Sequence, residues 1–444
     1  MTDLDFGRCC SARLLVAVAF HYREERLGYL ATMLSSLFAF PVNILHVVVM
    51  TNTENPAEME AIQAICHPLF SASKNAIVQP YSGLEDPFML TWCFRPLLQE
   101  LFLAKNASYT HFIYLEDDIE LSFLNFCYFV SYRDLLQAHN LIPAFVRVEF
   151  NDSIKKHVST DNWYQTELDK GKKIACGDYY FVDLTNPYMA MFIMDRALAE
   201  EYVASPSSDC LTSRSIVSWG IREQAAMGLT FENVPPGFMS RYVVPISMTD
   251  RMAPLCSWIY HLPNNLANYP NTPNGKLPMA QLVVPAEVSL LRVRARQGDL
   301  EAQLALGQLY ADGKQVPKNL LEATHWYLKA ANQGNHAAQL ALGALYAIGG
   351  PGVQADFVLA YMWSRLATRM YAAADNNIQI MVSMMEQEQI AQAESMAADW
   401  RVGEQVEIKE QFYPWHGDAW WTPHMEAIKR RADEWRRGQQ SSPA

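Results

Sequence analysis

The chain has 444 residues, a length that predicts two or three domains of about 150 residues each. Half of the residues are hydrophobic and 12% are aromatic, so sizeable buried cores are expected. A net charge of −12 argues against non-specific nucleic-acid binding, because such binding needs a basic patch.

The cysteines and the apolar runs indicate in which compartment the protein is expected. The eight cysteines show no Cys-x-x-Cys pair and no zinc spacing, which predicts buried free thiols in a reducing compartment. No stretch approaches the ~18 apolar residues of a membrane span. The apolar run 14–20 is too short for a secretory signal and leads directly into a polar segment. We therefore expect a cytoplasmic protein without a signal peptide or a transmembrane segment.

The first 120 residues alternate between strand and helix patterns. Apolar runs at 13–20, 43–50, 75–79 and 112–115 predict strands, and the segments between them carry apolar residues at helical spacing. This alternation predicts an α/β fold with a doubly wound parallel sheet.

Two arginines of this region are candidate phosphate contacts. Arg26 follows the first strand, where a nucleotide usually enters such sheets, and no Gly-x-Gly-x-x-Gly loop is present. It is either a surface cation at the start of a helix or a contact to phosphate and base. Arg95 lies one helix before an acidic stretch and is a candidate for steadying a diphosphate.

The acidic stretch follows the apolar strand 112–115 directly. Glu116 and Asp118 are expected on one face of the extended chain and Asp117 on the other. Two carboxylates on one face repel each other unless a cation separates them, and Mg²⁺ or Mn²⁺ is the natural partner. Repulsion alone predicts that Asp118→Asn leaves the melting temperature unchanged or raised. The alternative is that the acids cap the next helix or face solvent.

The sequence His-Phe-Ile-Tyr-Leu-Glu-Asp-Asp-Ile-Glu, from His111 to Glu120, resembles the Asp-x-Asp-type acidic metal motif of glycosyltransferases with the GT-A fold, with Glu116 replacing the first Asp. This resemblance implies that Asp118 binds Mn²⁺ or Mg²⁺, which in turn holds the diphosphate of a nucleotide-sugar donor. It also implies that Glu116 or Asp117 contacts the metal or the ribose.

The second half of this region predicts mainly antiparallel structure. A strand over 144–150 carries Arg147 and Glu149, and the strands 179–182 and 188–194 suggest a hairpin around Asn186 and Pro187.

Two later residues complete the candidate site by the same resemblance. Glu223, at the start of a predicted helix, is either a cap stabilised by the helix dipole or the base that activates an acceptor, with Trp219 as a sugar-stacking platform. His261 ends an aromatic strand and is either structural or a late metal ligand, and its imidazole favours Mn²⁺ over Mg²⁺.

The character of the chain changes after a Pro/Asn-rich segment at 271–287, which predicts a linker. The sequence Gly-Asp-Leu-Glu-Ala-Gln-Leu-Ala-Leu-Gly from Gly298 recurs as Gly-Asn-His-Ala-Ala-Gln-Leu-Ala-Leu-Gly from Gly334, a step of 36 residues. This pattern resembles the Sel-one-like repeats, relatives of the tetratricopeptide repeats, and implies stacked helix pairs over 288–402. Residues 403–444 hold an aromatic stretch and then a basic run, which predicts a helical tail.

Together these patterns predict an α/β GT-A-like glycosyltransferase domain over 1–270 fused to an all-α repeat domain. The repeats would bind a protein partner or position an unknown glycan, protein or small-molecule acceptor. The alternative from another class is a non-catalytic repeat scaffold with a degenerate nucleotide-binding domain. A metal-dependent nucleotidyltransferase is a third possibility, although the chain lacks a Gly-rich loop bearing Lys or Arg.

Overall fold

A computed structural model describes residues 4–67, 71, 73–162, 165–166, 168, 172–184, 186–210, 220–269, 275–350 and 353–403. The chain divides into two compact units between Leu282 and Val283. The predicted linker 271–287 therefore contains this division. Before the division it includes a short strand at Leu277–Pro278, and after it a helix that begins at Ala286.

The described part of the first unit contains fourteen strands: β1 (Arg13–Phe20), β2 (Ile44–Thr51), β3 (Lys74–Pro80), β4 (His111–Glu116), β5 (Ile119–Glu120), β6 (Ile142–Pro143), β7 (Val146–Asn151), β8 (Lys156–Ser159), β9 (Ile174–Cys176), β10 (Tyr179–Asp183), β11 (Met191–Asp195), β12 (Tyr242–Ser247), β13 (Trp258–His261) and β14 (Leu277–Pro278). Its α-helices of five residues or more are α1 (Phe6–Cys10), α2 (Leu27–Phe38), α3 (Pro56–Cys66), α4 (Phe123–Gln137), α5 (Arg196–Val203) and α6 (Ile221–Ala226).

The first sheet has the strand order β11-β4-β1-β2-β3. Strands β1 to β4 run parallel, as the alternation of strand and helix patterns predicts, and β11 lies antiparallel beside β4. Every residue of β4 is buried, which explains the apolar and aromatic run over 112–115 between His111 and Glu116. Its last residue, Glu116, stands beside Ala19 of β1, so the acids that follow lie at the carboxyl edge of the parallel strands.

The predicted hairpin around Asn186 and Pro187 is wrong. Strand β10 pairs with β9 and β12 in a second sheet of order β6-β12-β10-β9. Strand β11 instead pairs with β4 in the first sheet. Long-range pairing thus decides the partner of each strand, although the two are neighbours in sequence.

A third sheet, of order β14-β8-β7-β13-β5, brings His261 next to the acidic stretch. Strand β5 begins one residue after Asp118, and its Ile119 pairs with His261 at the end of β13. Strand β13 also lies parallel to β7, which carries Arg147 and Glu149. This sheet therefore gathers charged side chains from four parts of the sequence.

The described part of the second unit consists mainly of helices: α7 (Ala286–Arg296), α8 (Leu300–Asp312), α9 (Leu320–Asn332), α10 (His336–Ile348), α11 (Phe357–Ala367), α12 (Ala373–Val382) and α13 (Gln387–Asp399). Alanine, leucine and aromatic residues form its core. Asp299 and Asn335 cap α8 and α10 in the same way, each accepting a hydrogen bond from a backbone N–H three residues on. Of the predicted tail 403–444, only Gly403 belongs to the described residues.

Candidate functional site at the carboxyl end of the first sheet

A cavity of about 420 Å³ opens where the acidic stretch leaves β4. Its lining is polar and charged on most sides: Arg26, Glu116, Asp118, Arg147, Asp161, Asn186, Tyr188, Arg222, Glu223, His261, Pro263, Asn265 and Leu266. Five residues proposed from the sequence, namely Arg26, Glu116, Asp118, Glu223 and His261, are therefore brought to one cavity. Its position beyond the carboxyl ends of parallel strands is where ligands bind in open α/β sheets.

The three acids do not share the extended backbone that the sequence suggests, because Glu116 ends β4 and Asp117 and Asp118 form the turn before β5. Glu116 and Asp118 nevertheless line the cavity, whereas Asp117 does not. Arg26 donates two hydrogen bonds to Asp117, of 2.8 and 2.7 Å, and a third of 2.9 Å to Oδ2 of Asp118. The guanidinium group therefore neutralises the acid stretch from the side of β1, and Asp117 serves chiefly to hold Arg26.

Asp118 also faces His261. The Nε2 atom of His261 lies 3.5 Å from Oδ2 of Asp118, and its Nδ1 contacts the buried carboxylate of Glu149. The other oxygen of Asp118, Oδ1, is buried and has no hydrogen-bond partner among the described residues. A buried carboxylate oxygen without a donor is costly, so this atom marks a place for a ligand or cation.

Glu116 has different surroundings. The hydroxyl of Tyr188 donates a hydrogen bond of 3.0 Å to Oε1 of Glu116. The guanidinium of Arg147 lies 5.0 Å from the centre of the Tyr188 ring and forms a two-point pair with Asp161, of 2.8 and 2.6 Å. Glu116 thus has a neutral partner, and the nearest fixed cation of β7 is already paired.

These surroundings give Glu116 and Asp118 different proton affinities. Burial and the nearby charge of Asp118 raise the pKa of Glu116 to about 7. Burial opposes ionisation of Asp118 too, but the hydrogen bond to His261 and the charges of His261 and Arg26 hold its pKa below the ordinary value. Burial would lower the pKa of His261, yet its contacts with Asp118 and Glu149 raise it. Near neutral pH the site therefore pairs a firmly ionised Asp118 with a Glu116 that can hold a proton.

Glu223 stands in the first turn of the short helix α6 and pairs with Nη2 of Arg222 at 3.0 Å. An added Cβ at Gly220 would lie 2.3 Å from Oε2 of Glu223, so the missing side chain makes room for this carboxylate. The guanidinium of Arg222 lies 5.9 Å from the centre of the exposed Phe88 ring. Trp219, the predicted sugar-stacking platform, lies outside the described residues.

Arg95 is not among the residues that line the cavity. It follows Phe94, a buried residue whose ring packs 5.0 Å from that of Tyr114 in β4 and 5.3 Å from that of Phe192 in β11. The Nε atom of Arg95 is itself buried and has no hydrogen-bond partner among the described residues. The expected contact with a diphosphate in this cavity is therefore not supported by its position.

The predicted metal ligands only partly form a ligand set. Within the described ranges, no three His, Cys, Asp or Glu side chains are grouped so that they could hold one ion. Glu116, Asp118 and His261 share the cavity without forming such a trio. The pair Asp118 and His261, with the unpartnered Oδ1, still offers the oxygen and nitrogen donors that suit Mn²⁺. Because Mg²⁺ and similar ions are commonly held by one or two carboxylates plus substrate phosphates, this smaller donor set fits an ion that arrives with a ligand.

Sequence reasoning missed Arg147, Asp161, Asn186, Tyr188 and Arg222 as lining residues. The signal for Arg147 was present, since Arg147 and Glu149 interrupt an otherwise apolar run over 144–150. Asp161 and Tyr188 carry no such signal, because only the long-range pairing of β7, β8 and β11 brings their segments to the cavity.

All eight cysteines are free thiols, and Cys9, Cys66, Cys127, Cys210 and Cys256 are buried, as predicted. No helix among the described residues is long and apolar enough to cross a membrane.

Comparison with known proteins identifies the repeats. The Sel1 repeat family model matches residues 300–335 and 336–370, so this part of the chain holds two Sel1 repeats, as the 36-residue step predicts. No curated protein matches the chain.

Two solved structures are similar to this chain over a minor part of its length. One is c5321, a protective antigen of uropathogenic Escherichia coli strains with an SLR fold, at 29% identity over 35% of this chain and 28% of that one, with a TM-score of 0.24. The other is a Sel1 repeat protein from Oxalobacter formigenes, at 30% identity over 26% of this chain and 51% of that one, with a TM-score of 0.21.

Proposed function

We propose that the first unit is a metal-dependent glycosyltransferase that moves a sugar from a nucleotide-sugar donor to an acceptor hydroxyl. The single observation that carries the proposal is the buried, unpartnered Oδ1 of Asp118 in a charged cavity at the carboxyl end of β4. Carboxylate oxygens beside several guanidinium groups suit a ligand that combines a divalent cation with a diphosphate.

In this proposal Asp118 and His261 hold Mn²⁺ or Mg²⁺ together with the donor phosphates. The ion would neutralise the charge that develops on the diphosphate leaving group. Arg26 keeps Asp117 and Asp118 in place through three hydrogen bonds. Arg222, which lines the cavity and is partly exposed, is the best-placed cation for direct contact with the diphosphate.

The remaining acids would act on the sugars. Glu116, with a pKa near 7 and Tyr188 as its partner, is suited to hydrogen bonding with a ribose or donor-sugar hydroxyl. Glu223, which lines the cavity and pairs with Arg222, would accept the proton of the acceptor hydroxyl in an inverting reaction.

The proposal is tested by incubating the protein with a panel of nucleotide-sugars and Mn²⁺ or Mg²⁺, with donor hydrolysis as the readout. Titration calorimetry with UDP and GDP provides the matching binding measurement. We expect binding that needs the metal, and Asp118→Asn should abolish both binding and hydrolysis. Equal nucleotide binding in excess chelator would contradict the proposal.

A second candidate function rests on the Sel1 repeats at 300–370, which suggest protein interaction. In this alternative the repeats are the active part and the first unit is a degenerate nucleotide-binding domain in a scaffold. The nucleotide-sugar panel separates the two, because a scaffold would show no metal-dependent donor binding. Under either proposal the free thiols favour a reducing compartment such as the cytoplasm.

A further inference from the structure

Glu149 lies behind the cavity lining, in contact with His261, and is buried at 1% relative exposure. Its carboxylate accepts hydrogen bonds from Nδ1 of His261 and from the backbone N–H groups of Leu266 and Ala267, at 3.3 and 2.5 Å for the last two. Three donors therefore converge on one side chain that does not itself line the cavity. A carboxylate satisfied in this way is rigidly fixed.

The contact with His261 settles which ring nitrogen faces the cavity. Both oxygens of Glu149 already accept hydrogen bonds from backbone N–H groups, so we assign Nδ1 of His261 as a further donor toward this carboxylate. The opposite nitrogen, Nε2, then faces Oδ2 of Asp118 at 3.5 Å. A line of side chains thus runs from β7 through the end of β13 to the acid stretch after β4.

The same carboxylate fixes part of the cavity rim. Asn265 and Leu266 line the cavity directly after β13, and the backbone N–H of Leu266 bonds to Glu149. Asn264 adds a second tie to β7, because its side-chain oxygen accepts a 2.7 Å hydrogen bond from the N–H of Phe150. Glu149 therefore fixes the position of the His261 ring and of the loop beside it.

Arg147, two residues earlier on β7, supports the other cavity carboxylate in a parallel way. Its guanidinium pairs with Asp161 and lies over the Tyr188 ring, and Tyr188 bonds to Glu116. Glu116 and Asp118 thus each reach a buried charged residue of β7 through one intervening ring. This regular arrangement argues that β7 is built to orient the acids.

We infer that Glu149 is a positioning residue, which acts through His261 to present Nε2 to Asp118 and which fixes the loop 264–267 at the cavity. The inference rests on the proposed function for its link to donor binding, but the arrangement of side chains can be tested on its own. Partners of this kind, behind the groups that hold a metal, typically alter affinity or activity 10- to 100-fold when replaced.

The first experiment measures His261 itself in the full-length protein. Nitrogen-15-labelled histidine and NMR spectra at one fixed pH report the His261 ring nitrogens, with the signals assigned by their loss in His261→Gln. We expect Glu149→Ala to remove the hydrogen-bonded Nδ1–H signal. Asp118→Asn should shift the Nε2 signal in the wild type and no longer do so in the Glu149→Ala background. Equal shifts in both backgrounds would overturn the inference.

The second experiment measures UDP binding by calorimetry with Mn²⁺. We expect Glu149→Gln to weaken Mn²⁺-dependent UDP binding about 10-fold or more, because the amide presents a donor to backbone donors. The control is Glu120→Gln on β5, the strand beside β13. Glu120 does not line the cavity and accepts a 3.1 Å hydrogen bond from Ser36. Unchanged binding by Glu149→Gln beside metal-dependent binding by the wild type would contradict the inference. Absence of such binding in the wild type would instead count against the proposed function, and the NMR result would still decide the role of Glu149.

Discussion

Glu116 and Asp118 are two residues apart and line one cavity, yet their partners differ in kind. Asp118 pairs with the guanidinium of Arg26 and faces the ring of His261, whereas the hydrogen-bond partner of Glu116 is the neutral hydroxyl of Tyr188. The sequence shows the pair of acids and their spacing but not these partners. Repulsion between the two acids is therefore a poor guide to what each contributes to stability.

We predict that Asp118→Asn lowers the free energy of unfolding, contrary to the expectation from repulsion alone. The substitution removes one of the two carboxylates that pair with Arg26 and one of the two that contact His261, and breaking a buried ion pair typically costs about 3 kcal/mol. Glu116→Gln is the matched variant, because Tyr188 can donate to the amide oxygen as it does to the carboxylate. It should leave stability unchanged or raised, since a buried charge is removed. Urea unfolding at pH 8 measures both, and a stabilised Asp118→Asn would contradict the prediction.

His111, at the start of β4, predicts a dependence of stability on pH. Its ring packs edge-on against Phe126 at 5.1 Å, and burial lowers its pKa from 6.5 to about 4. Between these values the unfolded chain binds a proton that the folded chain does not. The neutral ring's contribution is therefore complete above pH 6.5 and is lost as the pH falls toward 4. A shift of this size corresponds to about 3 kcal/mol.

The measurement for His111 is the free energy of urea unfolding at pH 7.5 and at pH 4, in the wild type and in His111→Phe. Phenylalanine keeps an aromatic ring against Phe126 and cannot take up a proton. We expect the wild type to lose about 3 kcal/mol more than the variant between the two pH values. Equal losses would show that His111 does not titrate abnormally in the folded protein.

At the scale of elements, local pattern predicted the parallel part of the first sheet and long-range pairing set the rest. Strands β1 to β4 each have their own apolar run, and β1, β2 and β3 are neighbours in chain order, whereas β4 lies on the other side of β1. Strand β11 has a similar run, but nothing in its residues states that it pairs with β4 rather than β10. The cavity was predictable to the same extent. Its acids are recognisable in the sequence because they follow an apolar strand directly, whereas only strand pairing places Tyr188 and Asp161 there.

The repeat helices predict a sharp limit on side-chain size at two equivalent glycines. A Cβ at Gly307 in α8 would lie 2.4 Å from the Tyr327 ring of α9, and one at Gly343 in α10 would lie 2.2 Å from Oγ of Ser364 in α11. Gly343 would also press on backbone atoms of Ala360 and Ser364, at 3.2 Å each. Both glycines are therefore required by the close approach of paired helices.

We expect Gly307→Ala and Gly343→Ala each to destabilise the repeat unit by about 1–3 kcal/mol, the usual range for overpacking. Gly28→Ala is the control, since nothing lies within 4 Å of an added Cβ at this position in α2. It should be neutral or slightly stabilising, because alanine favours helix over glycine. Circular dichroism during urea unfolding provides the readout. Wild-type stability in Gly343→Ala would show that these helices can move apart without penalty.

At the scale of the whole molecule, the sequence distinguishes an α/β unit that carries the charged cavity from a unit of helical repeats. The acids, arginines and histidine of the cavity all belong to residues 1–282, while the Sel1 repeats belong to the second unit. Within its described residues the second unit has its own core of alanine, leucine and aromatic side chains. Helical repeats are stabilised mainly by contacts with their neighbours, so such a unit should not need the first one in order to fold.

We therefore predict that a fragment of residues 283–403 folds alone, and that a fragment of residues 1–282 keeps the ligand-binding chemistry. The first should show a helical circular dichroism spectrum and a cooperative thermal transition. The second should bind UDP or GDP in the presence of Mn²⁺ about as tightly as the full chain does, because every residue that lines the cavity is retained.

Sedimentation must first show that each fragment is monodisperse, since apolar surface exposed at the cut can cause aggregation. Asp118→Asn in the 1–282 fragment is the control for non-specific nucleotide binding. If the full chain binds the nucleotide with metal and a folded, monodisperse 1–282 fragment does not, the repeat unit completes the site and the separation of roles between the two units is wrong.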